Sequence, residues 1–368
     1  MKILFLSNSL GGLKSFRMEF IQTLAHRGHE ILISSPCEDN IEMFIELGCK
    51  VFPINISRHG TNPFSELSLL IRYEKIISSI SPDIILSYTI KPNIYGSIVG
   101  YILKIPIIAS VTGLGEGVEN NGIIQKIIIG MLKYAMKTTN HVYFQNQESM
   151  DFFKTKGINL RSQSLIAGSG VNLEKFYKAY YPDDSDGVRF LFIGRILESK
   201  GVRLYLEAAK DLKKDFPDSE FHIIGIKEDP ILSALVEHYD KAGIVMFHGQ
   251  QNDVRRFISN VHCQVHPTYY PEGMSNVLLE SAAMGRPAIT TDKSGCREIV
   301  ENGITGFIIP QRSKEELIGK MRQFITLPWN IKKAMGEKAR AKVEKVFDRN
   351  LIIHEYIKKI EELTDLKC

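Results

Sequence analysis

Short apolar runs alternate with helical patterns through both halves of this chain, and that alternation limits the fold more than any other feature. Lys2–Ser7, Glu30–Ser34, Lys50–Ile54, Ile84–Tyr88, Ile107–Val111, His141–Gln145 and Ser164–Ala167 read as strands. Most are separated by helical stretches such as Ser15–Arg27, Phe64–Ile80 and Gly122–Lys137. Strands joined through helices form βαβ units and parallel sheets, because tight hairpins are what antiparallel pairs need. The pattern restarts with Val188–Ile193 and continues through Glu220–Ile224, Val245–His248, Cys263–Pro267, Ala288–Thr291 and Gly306–Ile309. Between the halves, Tyr180–Gly187 carries Pro182 and three acids and reads as a connection. A length of 368 residues exceeds what one core usually supports. The expectation is an α/β chain with an N-terminal domain at 1–175, a linker at 176–187 and a second domain at 188–345. Residues 346–368 are expected as a C-terminal helix packing back on the first domain.

Bulk properties narrow the function. Hydrophobic content of 44% and charged content of 24% are those of an ordinary globular protein. Five scattered cysteines with no CxxC pair argue for reduced thiols and a cytoplasmic setting, and against a disulfide framework or a zinc cluster. The first apolar run is too short for a signal peptide, and lysines interrupt every longer one before the roughly 18 residues of a spanning helix. The net charge is +4, and the whole excess lies in residues 1–180. That is too little for nucleic acid, but it suits an anionic acceptor or peripheral contact with an anionic membrane on the inner face of the plasma membrane. Lys91, Lys104, Lys126 and Lys133, with the helix Gly122–Lys137, are the expected contact.

The chemistry concentrates in Tyr269–Pro287. A strand ends near Pro267, a Pro271-Glu272-Gly273 turn follows, and a helix runs from about Ser275 to Met284 before Gly285-Arg286-Pro287 stops it. Glu272 and Glu280 are eight residues apart, roughly 12 Å of helical rise. Two carboxylates at that spacing, with the unpaired N–H groups of a helix start between them, suit a sugar nucleotide. A second cluster, Gly194-Arg195 to Lys200-Gly201, puts two cations after a buried strand, at the carboxyl edge where open sheets bind ligands. Two cations and a helix start can neutralise a departing diphosphate without a metal. Other chemistries lack their motifs. No G-x-G-x-x-G follows a first strand, and no G-x-x-x-x-G-K-[ST] loop is present. Asp184-Ser185-Asp186 falls in the connection and reads as a solvated loop, His248, His262 and His266 read as strand-end histidines, and Gly168-Ser169-Gly170 is not a nucleophile elbow.

These pieces resemble glycosyltransferase family 4, retaining enzymes of the GT-B fold, in which two Rossmann-like doubly wound domains face a cleft. The residues that carry the resemblance are Gly11-Gly12, Gly168-Ser169-Gly170-Val171-Asn172, Gly194-Arg195, Lys200-Gly201, Glu272-x7-Glu280, Gly285-Arg286-Pro287, Gly295-Cys296-Arg297-Glu298 and Asn302-Gly303-x-x-Gly306-Phe307. In the first half, Ser57-Arg58, Asn62-Pro63, Thr89–Gly96, Thr112-Gly113-Leu114-Gly115 and Phe144-Gln145-Asn146 are similar to bacterial transferases that build O-antigen, capsule or N-glycan units on undecaprenyl diphosphate.

The resemblance implies residue roles. Arg195 and Lys200 would meet the β-phosphate, and Glu272 the donor sugar's hydroxyls. The backbone N–H groups of Gly273, Met274, Ser275 and Asn276 would hold the diphosphate, and Glu280 the ribose. Gly11, Gly12 and Gly194 would allow close approach to the donor. On the acceptor side the candidates are Lys14, Arg17, Arg58, Lys91 and Thr112, with Thr112 standing where many relatives have a His.

The implied function is a retaining hexosyl- or N-acetylhexosaminyltransferase. It would move a sugar, GalNAc foremost, from a UDP-sugar to a polyprenyl-diphosphate-linked saccharide in cell-surface polysaccharide synthesis. No metal or other cofactor is expected, and no nucleic acid. A UDP-sugar 2-epimerase of the same architecture and a non-catalytic nucleotide-sugar-binding protein stay open as alternatives.

Overall fold

A computed structural model describes residues 1–36, 41–56, 63–114, 118 and 122–365. The chain divides into two compact units. The first comprises Met1–Ser169, Glu272–Met274 and Leu351–Cys368, and the second Gly170–Pro271 and Ser275–Asn350.

In the first unit seven strands form one parallel sheet. They are β1 (Lys2–Leu6), β2 (Glu30–Ser35), β3 (Lys50–Pro53), β4 (Ile84–Tyr88), β5 (Ile107–Val111), β6 (His141–Phe144) and β7 (Gln163–Leu165), in the spatial order β3-β2-β1-β4-β5-β6-β7. The order reverses between β1 and β4, so the carboxyl ends of those strands flank the switch point at which such sheets bind ligands. β4 and β5 are buried along their whole length, which is why they read as nearly continuous apolar runs, each with one serine, and not as alternating ones. The crossover helices are α1 (Leu10–His26), α2 (Ile41–Glu46), α3 (Pro63–Ile80), α4 (Ile90–Leu103), α5 (Ile123–Thr138) and α6 (Gln147–Thr155). One face of the sheet is covered by a core that includes Tyr73, Val99, Leu132 and Phe153. The other face packs on α1 and on the C-terminal helix, through Leu13, Phe20, Ile353 and Tyr356.

The second unit has a six-stranded parallel sheet. Its strands are β8 (Arg189–Ile193), β9 (Glu220–Ile224), β10 (Met246–Phe247), β11 (Cys263–His266), β12 (Ala288–Thr291) and β13 (Gly306–Ile309), ordered β10-β9-β8-β11-β12-β13. Here the reversal falls between β8 and β11. The helices are α7 (Val202–Asp215), α8 (Pro230–Lys241), α9 (Arg255–Asn260), α10 (Asn276–Ala283), α11 (Lys314–Thr326) and α12 (Trp329–Val346), and α13 (Arg349–Asp365) ends the chain. α7 buries Val202, Tyr205, Leu206, Ala209 and Leu212, an i, i+3, i+4 stripe, against a core holding Phe190, Phe192 and Phe221. Asp229 caps α8, with Pro230 at its first position, and Ser313 caps α11.

Two expectations change. The helix expected over Ser15–Arg27 starts earlier: α1 begins at Leu10, because Ser9 caps it by accepting the Gly12 N–H at 3.1 Å. Gly11 and Gly12 therefore sit in a helical first turn, and a Cβ at Gly12 would meet nothing but Ser9. The stretch 176–187 is likewise no free linker. The second unit already begins at Gly170, and Phe176 and Tyr181 are buried in it. The Tyr181 hydroxyl donates to the His262 carbonyl and the Trp329 indole to the Pro182 carbonyl. Asp184, read as solvated, pairs at 2.7 Å with Lys332, whose side chain is 2% exposed.

Candidate active site

In the second unit the structure gathers residues that are far apart in sequence at the carboxyl ends of β8 and β11. Arg195 follows β8, and Lys200 ends the single 3₁₀ turn Glu198–Lys200. Both cations lie against the Tyr270 ring, the Arg195 guanidinium 5.0 Å and the Lys200 ammonium 4.5 Å from its centroid. The turn is tied to the segment after β11, since Tyr269 donates its N–H, and Thr268 its hydroxyl, to the Ser199 carbonyl. Gly201 permits this closeness. Its φ is +78°, and a Cβ there would lie 2.3 Å from the Pro267 carbonyl oxygen. Arg195 also pairs with Glu228 at 3.2 Å. Burial alone would lower its pKa, but hydrogen bonding to Tyr270 and the Glu228 charge raise it, so the cation is firmly charged.

Tyr270 is a site residue that sequence reasoning missed. Its signal was available as an aromatic ring immediately before the Pro271-Glu272-Gly273 turn. Gly194 ends at the same edge, but its N–H is spent on the Ile224 carbonyl at 3.0 Å.

α10 begins at Asn276 with Ser275 as its N-cap residue. The Ser275 side chain does not cap the helix, and its hydroxyl is buried without a partner. The first helical bond runs from the Leu279 N–H to the Ser275 carbonyl, so the first-turn N–H groups have no acceptor within the helix. One expected diphosphate donor falls away here: the Ser275 N–H bonds to the Gly295 carbonyl at 2.8 Å. Glu280 lies in the body of α10, half-buried. Burial pushes its carboxyl up to about 7, and the charges of Lys175 and Arg349 offset only part of that.

The run Glu272–Asn276, expected to work as one piece, is divided at Met274/Ser275 between the two units. In the first unit the Asn146 side chain donates to the carbonyls of Glu272, at 3.3 Å, and Gly273, at 2.8 Å, while its Oδ1 caps α6. A Cβ at Gly273 would lie 2.2 Å from Gln145 Oε1 and 2.4 Å from the Thr112 carbonyl oxygen. Met274 packs closely on Gly168, where a Cβ would lie 2.7 Å from the Met274 Cβ. Gln145 and Asn146, quoted in the resemblance but given no role, thus hold the Glu272 segment in place together with Thr112.

The acceptor candidates separate. Thr112 follows β5 and lines, with Ile90, Val111, Leu114, Leu132 and Met136, a small apolar cavity. Lys91 is taken by Glu66 at 2.5 Å, which also accepts from the Tyr95 hydroxyl, so it is no spare cation for an anionic ligand. Lys14 is half-buried on α1, and Arg17 is buried between aromatic rings. Arg58 lies outside the described residues. The histidines read as ordinary ones are structural in two cases. His262 Nδ1 accepts the Arg189 N–H, and burial drives its pKa down to about 4; His248 bonds to His222. His266 is buried at the end of β11.

Comparison with known proteins agrees with this architecture. The glycosyl transferases group 1 family matches residues 175–342, and the glycosyl transferase 4-like family matches residues 2–146. Solved structures share the fold along nearly the whole chain. A glycosyltransferase from Rickettsia africae superposes with a TM-score of 0.80 at 20% identity, over 98% of each chain. Anabaena HepE, solved with UDP and glucose, gives 0.80 at 17%, over 98% of this chain and 100% of that one. Two parallel sheets with these structural neighbours define the GT-B fold. The chain is a glycosyltransferase built of a glycosyl transferase 4-like domain followed by a glycosyl transferases group 1 domain. Among curated proteins it is 26% identical over 377 residues to the N,N'-diacetylbacillosaminyl-diphospho-undecaprenol alpha-1,3-N-acetylgalactosaminyltransferase of Campylobacter jejuni, covering 97% of this chain and 98% of that protein. It is 25% identical to the Staphylococcus aureus capsular polysaccharide glycosyltransferase CapM, over 79% and 80%.

Proposed function

We propose that this enzyme moves a hexose or N-acetylhexosamine, with GalNAc as the first donor to test, from a UDP-sugar to a polyprenyl-diphosphate-linked saccharide. The product would serve cell-surface polysaccharide synthesis, and the anomeric configuration would be retained. The observation that carries this reading is the convergence of Arg195 and Lys200 on Tyr270, in the unit that also presents the α10 N-terminus and Glu280. Two cations and a helix start answer the charge that grows on UDP as the glycosidic bond breaks. Because UDP is already a good leaving group, positioning and charge stabilisation suffice, and no metal is required. Front-side attack, with the departing phosphate taking the acceptor's proton, needs no enzymic nucleophile. Glu280 would accept the ribose hydroxyls and Glu272 those of the sugar. The Campylobacter relative, named for GalNAc transfer to an undecaprenol-linked diphosphate sugar, and HepE, solved with UDP-glucose, support the donor and acceptor classes.

The first unit would meet the lipid. On α5, Ile123 is 77%, Ile127 57% and Tyr134 63% exposed, with Lys126, Lys133 and Lys137 exposed among them. An apolar surface interleaved with lysines suits the anionic face of a bilayer. Among the described residues no helix is long and apolar enough to cross it. Flotation with anionic vesicles at low salt tests this contact, and Ile123→Ser with Ile127→Ser should abolish it. Failure of the unaltered protein to float would remove it.

The reaction itself is tested by incubating a panel of UDP-sugars with and without a prenyl-diphosphate-linked saccharide. Transfer that depends on the acceptor supports the proposal. A new sugar nucleotide formed without acceptor would mark a 2-epimerase, and UDP binding with no product from any donor would mark a binding protein.

A further inference from the structure

Among the described residues of the first unit, a cation is buried with no counter-charge beside it. Along α1 the buried positions are Leu10, Leu13, Arg17, Phe20, Ile21 and Leu24, so Arg17 stands in the middle of a stripe that is otherwise apolar. The residue is 5% exposed. Its guanidinium lies 4.9 Å from the Tyr88 ring centroid and 5.5 Å from that of Tyr356. Among the described residues its N–H groups meet no carboxylate and no carbonyl. Contact with ring faces offsets part of the cost of burying a cation, but it supplies no hydrogen bond. The other fully buried arginine differs. Arg286 donates to the carbonyls of Tyr180, Ile258, Ser259, Met284 and Gly285 and is satisfied within the fold.

The sheet beneath Arg17 changes character at its carboxyl edge. On the face toward α1 the strands present Ile31 and Ile33, Phe5, Ile84 and Leu86, and Ile108. Strand alternation puts Ser35, Tyr88 and Ser110 at the end of that same face in β2, β4 and β5. Ser110 bonds to the Tyr356 hydroxyl at 2.7 Å, but the hydroxyls of Ser35 and Tyr88 are buried with no partner. Next to Tyr88, Thr89 is held at φ +73° with its own hydroxyl also unpartnered. Strain and unmet donors together mark a place kept for a ligand rather than for packing. It lies beside the β1/β4 reversal, where open α/β sheets take theirs.

We propose that Arg17 and Tyr88 form a phosphate-binding subsite of the first unit that receives the diphosphate of the acceptor. This rests on the reading of the acceptor as diphosphate-linked. An arginine fork takes two phosphate oxygens at once, and the Tyr88 hydroxyl donates to a third. The anion supplies the charge and the acceptors that the apolar stripe withholds.

Calorimetric titration of the full chain tests the subsite, with UDP titrated first and then kept saturating. The probes are inorganic pyrophosphate and farnesyl diphosphate, and the proteins are wild type, Arg17→Met and Tyr88→Phe. The expected result is pyrophosphate binding by wild type, weakened at least about tenfold in Arg17→Met although that variant melts no lower. Tyr88→Phe, which keeps the ring, should also bind more weakly and melt unchanged, so the test survives if Arg17→Met fails to fold. Tighter binding of farnesyl diphosphate assigns the site to a lipid-linked group, and equal binding assigns it to the diphosphate alone. Pyrophosphate bound equally by all three proteins, or by none, overturns the subsite. Failure of the preceding UDP titration would instead count against the donor reading, so the two failures are told apart.

Discussion

Arg286 and Arg195 carry the same charge in the second unit and do opposite jobs. Arg286 is fully buried, and its pKa is lowered to about 10, chiefly by that burial. Its five carbonyl partners tie α9, the end of α10 and Tyr180 together. Arg286→Met should therefore lower stability by about 3–5 kcal/mol in a denaturant titration. The Arg195 side chain is 38% exposed. Arg195→Ala should leave stability within about 0.5 kcal/mol, while turnover at saturating donor falls roughly 10²–10³-fold. Equal loss of stability in both variants would contradict this division. Glu280 gives a pH signature. Its carboxyl is raised from 4.5 to about 7, so between those values the folded state holds a proton that the unfolded chain has released. Stability therefore falls as pH rises through that window, by at most about 3 kcal/mol, and Glu280→Gln should flatten the slope. The ionised form is the one that accepts ribose hydroxyls, so UDP affinity should rise as pH passes 7 in wild type and stay flat and weaker in Glu280→Gln, read by calorimetry at pH 6 and 8. The positions of Arg195, Lys200 and Glu280 in the fold were legible because each follows from a local pattern of strand end or helix turn. Tyr270 and Asn146 were not, because their roles come from long-range contacts that spacing cannot show.

Elements were legible where burial is continuous and less so where a side chain decides the boundary. β4 and β5 followed directly from apolar runs. The start of α1 did not, because two glycines suggest a loop until Ser9 is seen capping them. Residues 176–187 had a linker's composition, yet Tyr181 and Trp329 bond them into the second unit across large sequence distances. The turn carrying Lys200 is the element on which the proposed donor site rests most directly. Gly201→Ala would place a methyl against the Pro267 carbonyl in a left-handed conformation, a strain of about 1–3 kcal/mol. A drop in melting temperature together with lost transfer is the expected outcome. Full transfer with an unchanged melting temperature would mean that the turn does not position Lys200.

At the scale of the molecule, the two parallel sheets follow from alternation, but the division of the chain does not. The helix ending the chain joins the first unit from Leu351 onward, where Tyr356 stacks near Phe20 and bonds to Ser110, and Glu272–Met274 belong to that unit as well. No periodicity signals either arrangement, because both depend on which surfaces match after the sheets have formed. In the proposed reaction the second unit stabilises departing UDP with protein charge alone, and the anomeric configuration is retained. Both are read from one product. Wild-type enzyme with UDP-GalNAc and a prenyl-diphosphate-linked saccharide, in excess EDTA, should give an α-linked sugar by NMR of the anomeric carbon, at a rate equal to that without chelator. A β-linked product, or a rate abolished by EDTA and restored by a divalent cation, would contradict it.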